Sequence, residues 1–390
     1  MRKFPNQRAV SSIIFSRIVY AVNWYNVAAI FVFIAGDFGQ NVSGLGLVTA
    51  SMYVGLAIFQ IPGGIIAARV GPRKVAFYGM LISSVASFFT AFASEFSQLV
   101  LLRFLVGCGL ALFFASGVTM IVKLFGRKSG GFGMGLFNGA FYTGAGLGIF
   151  AWSVLAELIG WRPSLATSGA LGILWAFLLL AYVPKDELRD DFVVKLRDLR
   201  GVLSNKWLSI LSLELFGFAS GSILITTFTV FYLEESLKIS PVFAGIVGSL
   251  TPLSAVFASP LMGMLYDRVR RARLLVLASG LGLAASLALM AVGNVYSAIL
   301  VTIIVGVCTG CVFTVSYLSA REAQSASAEY ETLAISWVNC LQMFAGFWSP
   351  IVFSNLVISF GYAISWLVAS GCTLLLISVV LLVKEPRGAS

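Results

Sequence analysis

Long apolar runs recur along the whole chain, separated by short polar stretches. Stretches such as Leu171–Val183 and Cys372–Val383 hold no charged residue. A bilayer-spanning helix uses about 20 apolar residues. A membrane β-barrel would instead alternate in polarity over segments of about 10 residues, which these unbroken runs do not do. The pattern predicts spans at 11–35, 44–67, 74–93, 97–122, 131–157, 162–183, 207–233, 241–265, 273–292, 296–319, 332–356 and 362–383. The expected fold class is an all-α integral membrane protein with 12 transmembrane helices.

Composition agrees. Of 390 residues, 59% are hydrophobic and 11% charged, against about 25% charged in soluble domains. Such a chain could not cover a water-facing surface, and it has too much to bury to be disordered. The net charge of +10 raises nucleic acid as a partner, but the charges form no single patch, so none is expected. The five cysteines are odd in number and fall in apolar runs, which implies no secreted disulfide framework. Cys308 and Cys311 form a CxxC inside a span and read as small buried apolar residues. With no His in the chain, no metal site is expected. The N-terminal MRKFPNQR leads into a full-length span and reads as a retained first helix.

The basic residues report orientation. Of 26 Lys and Arg, all but Arg162, Lys238, Arg17 and Arg103 fall at the termini or in loops on one side of the predicted spans. By the positive-inside rule that side is the cytoplasm, which places both termini there, in a multi-pass protein of the cell membrane. Trp161, Trp207 and Trp366 stand at span ends, where tryptophan anchors the membrane interface.

The chain repeats itself. Gly64-Ile-Ile-Ala-Ala-Arg69-Val70 follows the second span, and Gly263-Met-Leu-Tyr-Asp-Arg268-Val269 follows the eighth, 199 positions on. Arg103 and Gly107 in the fourth span recur at the same offset as Thr302 and Gly306 in the tenth. Two independent landmarks at one offset predict two pseudo-symmetric six-helix bundles of like orientation, a recurrent transporter plan. The expected domains are a first bundle at 1–183, a cytoplasmic linker at 184–206 and a second bundle at 207–390. Val193, Leu196 and Leu199 in the linker fit either a short surface helix or a solvated connection.

These landmarks resemble the major facilitator superfamily over nearly the whole chain. Its loop signature, G-x-x-x-D-R-x-G-R-K, is matched by Gly64, Arg69, Gly71, Arg73 and Lys74, with Ala68 in place of the Asp. The second copy keeps Asp267 and Arg268 and loses the Gly. Arg103, Gly107 and Gly109 match the fourth-span signature. The resemblance implies alternating access by two rocking halves around a central site. It also implies that the loop residues Gly64, Arg69, Gly71, Arg73, Asp267 and Arg268 switch the conformation. The antiporter signature in span five is incomplete, because Gly144-Ala-Gly146-Leu-Gly148 lacks its Pro.

Ionisable residues inside lipid are costly and mark function. Three stand out here: Arg17, Arg103 and Glu214. Arg17 and Glu214 each lie about seven residues into their spans, roughly 10 Å deep. They are expected either to face each other across the halves or to be satisfied locally. For Arg103 the resemblance implies a role in proton coupling or substrate attraction; the alternative is a structural link to backbone carbonyls or to Glu157. In the absence of His, Glu214 is the candidate proton carrier. Polar faces add Tyr20, Asn23, Trp24, Asn138, Tyr142, Thr309, Tyr317, Asn339 and Gln342 as cavity residues; helix packing is the alternative for each.

Sequence reading therefore expects a secondary transporter of a small anionic or neutral organic solute, in the uptake direction and with a proton or no ion. It expects no cofactor, no enzyme activity, and a monomer whose partners are its substrate and the bilayer. The alternatives are a proton-antiport exporter of drugs or metabolites and, remotely, a non-transporting membrane receptor.

Overall fold

A computed structural model of the chain describes residues 6–185, 204–322 and 328–382, and all of their regular structure is helical. The helices are α1 (Gln7–Ala29), α2 (Phe31–Phe38), α3 (Val42–Val70), α4 (Pro72–Thr90), α5 (Phe96–Ile159) and α6 (Trp161–Tyr182). The second half holds α7 (Lys206–Glu235), α8 (Pro241–Val269), α9 (Ala272–Met290), α10 (Val295–Glu322) and α11 (Ala328–Ser378), then a 3₁₀ turn at Val379–Leu382. The linker reading around Val193–Leu199 lies outside the described residues.

Helix ends follow local chemistry. Orphan backbone N–H groups of a first turn need acceptors, and asparagine side chains supply them. Asn41 accepts from Ser43, Asn205 from Trp207 and Leu208, and Asn294 from Ser297. Gly71, at φ 101°, ends α3, and Pro72 opens α4, where its missing N–H costs nothing.

Among the described residues, nine helical stretches are long and apolar enough to cross a membrane, ten with the bent pair α1–α2. The stretch Leu341–Leu382 is broken at Gly361 (φ 77°, ψ 170°) into two arms. The long α5 is also two spans, Phe96–Phe125 and Phe132–Ile159. A straight helix would hold Phe113 and Phe137 more than about 30 Å apart, yet their ring centroids lie 6.4 Å apart, and those of Phe125 and Phe132 lie 5.8 Å apart. The chain therefore folds back within α5.

One expected span is not a single helix. The first breaks at Ile30, and α1 and α2 meet at 51°. No Pro or Gly stands at the break, so tertiary contacts hold it. Ser153 donates to the Ala29 carbonyl at 3.2 Å. At the far end of α2, Asp37 accepts from Trp161 Nε1 at 2.8 Å and lies 3.8 Å from Arg162. Arg162 also donates to the carbonyls of Ala91 and Ala93 just beyond α4. A Ser153→Ala substitution is expected to lower stability by about 0.5–1.5 kcal/mol, read as a fall in the thermal unfolding midpoint of the detergent-purified protein.

By packing, the chain divides into one unit of Met1–Arg189 with Val230–Ser249, and another of Asp190–Thr229 with Leu250–Ser390. The C-terminal end of α7 and the N-terminal end of α8 thus count with the first unit. There Phe31 meets Phe231 at 5.6 Å, and Gly245 abuts Ser153 so closely that a Cβ would lie 2.6 Å from it.

The repeat shows in local geometry. The helices α3 and α8 are both 29 residues long, and α4 and α9 are both 19. Arg73 donates to the Leu180 carbonyl and Arg273 to that of Leu381. Gly160 (φ 85°) and Gly361 (φ 77°) make the same sharp entry into a following helical arm. Outward faces carry large apolar side chains, such as Phe257 at 73% and Leu375 at 72% exposure, as befits a surface whose solvent is lipid.

The three tryptophans expected at the interface are instead packed inside: Trp161, Trp207 and Trp366 are buried. Trp207 donates to Ser319 at 3.0 Å, and Trp366 packs on Phe353 with centroids 4.4 Å apart. An indole suits both settings, since its N–H needs one partner and its rings none.

Candidate functional site

Arg17 lies nearly three turns into α1 and is 4% exposed. Its guanidinium carbon sits 4.2 Å from the Tyr20 ring centroid, 5.0 Å from Phe114, 4.5 Å from Phe137 and 4.7 Å from Phe141. It also hydrogen-bonds the Tyr20 hydroxyl. Ring faces attract a cation through their quadrupole, the more so when water is excluded. The cage holds the guanidinium in place. From Tyr20 the aromatic surface continues to Trp24 at 5.7 Å, then to Tyr53 at 5.4 Å and Phe141 at 5.7 Å. Tyr25, Phe141 and Tyr142 are half-exposed along it.

Sequence reasoning found Arg17, Tyr20 and Trp24 but missed Phe114, Phe137 and Phe141. Phenylalanine in an apolar helix carries no polar signal. The i, i+4 spacing of Phe137 and Phe141 was the one available cue.

Arg103 is 2% exposed and braces α5 to α1. It donates to the carbonyls of Asn23 at 2.9 Å and Trp24 at 3.0 Å, to Asn26 Oδ1 at 3.3 Å and to Met52 Sδ at 2.8 Å. Of the two readings offered by the sequence, this is the geometry of the structural link. Asn26 passes the network on, donating to Ser87 at 3.2 Å and Ser168 at 2.8 Å. Asn23 turns away from the aromatic surface toward α4 and α6. It is fully buried, its amide makes no hydrogen bond, and a Cβ on Gly172 would lie 3.1 Å from its Nδ2.

Asn138 and Tyr142 are half-exposed on the second arm of α5, one turn apart. Beside them Gly135 and Gly139 have nothing within 4 Å of a would-be Cβ. The glycines that pack α5 on α1 are others. A Cβ on Gly144 would lie 2.2 Å from the Ile18 carbonyl, and one on Gly148 2.9 Å from Val22 Cα.

In the second unit Glu214 is fully buried, and neither carboxylate oxygen has a hydrogen-bond partner. Its electrostatic neighbour is Cys311 of α10, which in turn bonds Ser279 of α9. Thr309 is half-buried with no partner for its hydroxyl, and Gln342 donates to Tyr317 at 3.4 Å. The side chain of Asn339 lies outside the described residues. Among the loop residues, Gly64 is half-buried near Ala115, Gly71 makes the α3–α4 turn, and Arg69 and Arg268 are exposed. Asp267 pairs with Arg270 one turn on at 3.9 Å, both well exposed, an ion pair worth little by itself.

Apolar helices of membrane-spanning length in two like repeats, with buried polar side chains inside each unit, describe a multi-pass membrane transporter. The Major Facilitator Superfamily pattern matches residues 13–328 and again 212–390, and the chain belongs to that family. It is 28% identical over 244 residues to an uncharacterized transporter of Buchnera aphidicola subsp. Schizaphis graminum, a match covering 60% of this chain and 57% of that relative. It is 25% identical over 370 residues to a probable nitrate transporter NarT of Staphylococcus aureus, covering 92% of this chain and 91% of the relative. Among solved structures, a bacterial homologue of the human lysosomal transporter Spinster, inward-facing and unoccupied, superposes with a TM-score of 0.80 at 16% identity. That match covers 97% of this chain and 96% of the other. The nucleoside transporter NupG superposes at 0.79 with 14% identity, covering 96% and 99%. At these identities the likeness is one of fold.

Proposed function

We propose that this transporter carries a small anionic solute across the cell membrane by alternating access, in the uptake direction and with a proton. The observation that carries the reading is the Arg17 cage. The first 183 residues contain three carboxylates, Asp37, Glu95 and Glu157. All three lie at or near helix ends, in α2, just before α5 and at the close of α5. The spans of this half therefore hold arginines and no acid in their middle, which favours an anion over a cation. The NarT relatives, named for an anion, support the same direction.

Glu214 is the proposed coupling residue. A buried carboxyl without hydrogen bonds exchanges a proton more readily than one locked in an ion pair. With termini in the cytoplasm, as the basic loops favour, Glu214 lies in the inner half of its span.

The test is transport in proteoliposomes. Glu214→Gln is expected to lower accumulation driven by an imposed proton gradient by about a hundredfold or more, the usual low end for loss of a proton-transfer group. Counterflow of the same solute should stay near the wild-type rate. Loss of both would make Glu214 structural, and retention of both would remove it from coupling.

A further inference from the structure

The C-terminal end of α7 carries a second buried acid. Glu234 is 7% exposed, and neither carboxylate oxygen has a hydrogen-bond partner. Its electrostatic neighbour is another acid, Glu157, exposed at the close of α5. We propose that these two carboxylates form a proton-binding site separate from Glu214, and that the proton held there keeps the C-terminal end of α7 packed against α5. Neither Arg17 nor Glu214 takes part.

Packing leads to the pair along both helices. Ile149, Ser153 and Glu157 recur at four-residue steps and share one face of α5. Val230 and Glu234 do the same on α7. Two glycines of α8 let these faces close. A Cβ on Gly248 would lie 2.5 Å from Val230 Cγ2 and 3.2 Å from Ile149 Cγ2, and one on Gly245 would lie 2.6 Å from Ser153 Cβ. The seam thus ends on two acids, one dry and one wet. On the neighbouring elements the other charged groups are Asp37 of α2, held by Trp161 and Arg162, and Glu235 and Lys238, exposed just past Glu234. Residues 241–249 of α8 carry no charge. A buried carboxylate ion without a partner is costly. A like charge beside it adds to that cost, so a close pair of carboxyls keeps a proton. A divalent cation takes several oxygens, and among the described residues no three His, Cys, Asp or Glu are grouped to hold one. A proton needs only the pair. When it leaves, the route to water for Glu234 is for the end of α7 to part from α5 and α8. With the termini in the cytoplasm, as the basic loops favour, this is the outer face, and the site answers to external pH.

The experiment is infrared spectroscopy, with amide hydrogen exchange read by mass spectrometry, on the full chain purified in an ester-free detergent. At about pH 7 an ordinary glutamic acid is ionised, so a carboxylic C=O band there reports a held proton. The wild type should show that band, Glu234→Gln should lose part of it, and Glu214→Gln should keep the part that Glu234→Gln loses. At about pH 9 the amides at the end of α7 should exchange at least about tenfold faster in the wild type than in Glu234→Gln, since an uncompensated buried charge costs more than a tenfold change in equilibrium. At about pH 5, still above the ordinary range of glutamate, the two proteins should exchange alike.

If Glu234→Gln leaves the band whole, no proton is held there and the proposal falls. Equal exchange of the two proteins at both pH values overturns the role of the proton in packing. If calcium chloride at neutral pH slows exchange in the wild type as acid does, the pair is a cation site and the proposal falls too. Should Glu234→Gln fail to fold, Glu214→Gln decides. A band that survives in it supports the second site, and a band that it abolishes overturns it.

Discussion

Replacing Arg103 with lysine should harm the protein more than replacing it with methionine. A planar guanidinium reaches several acceptors at once, and here it spans two carbonyls of α1, Asn26 Oδ1 and Met52 Sδ. An ammonium is a compact point charge that cannot hold this fan of partners. Arg103→Lys therefore keeps the desolvation cost of a buried charge, several kcal/mol per ion, while losing most of the bonds that offset it, each worth about 1.5–3 kcal/mol. Methionine removes the charge and the bonds together and fills much of the volume. Its remaining cost is the acceptor left on Asn26, about 1–3 kcal/mol. Arg103→Ala adds a cavity and is expected to lose about 3–5 kcal/mol. Thermal unfolding midpoints of the purified variants should fall in the order methionine, then alanine and lysine. If Arg103 were instead needed for its charge in coupling, lysine would keep transport and stability, and methionine would fold but not transport.

The same residue shows how far the sequence could be read. A charge in the middle of an apolar span demands an explanation, so Arg103, Arg17 and Glu214 were legible at once. Their partners were not, because Arg103 binds main-chain carbonyls, which every residue has, and Arg17 is held by phenylalanines that any apolar helix could carry. Tyr20, Phe114 and Phe137 come from three separate segments, brought together only when α5 folds back against α1. The spans were legible because lipid imposes a length and forbids unpaired backbone. The break at Ile30 was not, since no Pro or Gly marks it and Ser153, 123 positions further on, satisfies the carbonyl beside it. Tryptophans 161, 207 and 366 were misplaced because rank order along a span does not say whether an indole finds its partner in protein or at the headgroups.

The repeat, by contrast, was legible in two glycines, and their packing explains why. A Cβ on Gly107 would lie 2.0 Å from the Met52 carbonyl oxygen, and one on Gly306 would lie 2.2 Å from that of Thr251. Both pairs stand at the same spacing in their repeats, so each half presses one helix backbone against another at the same point. In lipid, helix association depends on such close approach, because the apolar solvent supplies no hydrophobic drive. Alanine at either position must separate backbone from backbone, where no side chain can swing aside, and is expected to cost about 1–3 kcal/mol. Valine should cost more and leave little folded protein in the membrane fraction. Gly371→Ala is the control, since nothing lies within 4 Å of its Cβ position and its φ is ordinary, and alanine there should be neutral or slightly stabilising. The informative comparison is between the twins. Equal losses at Gly107 and Gly306 in thermal unfolding would show that both halves depend on the same contact. A severe loss at one and none at the other would mean that the two copies have diverged in what holds them together, even though their sequences still repeat there.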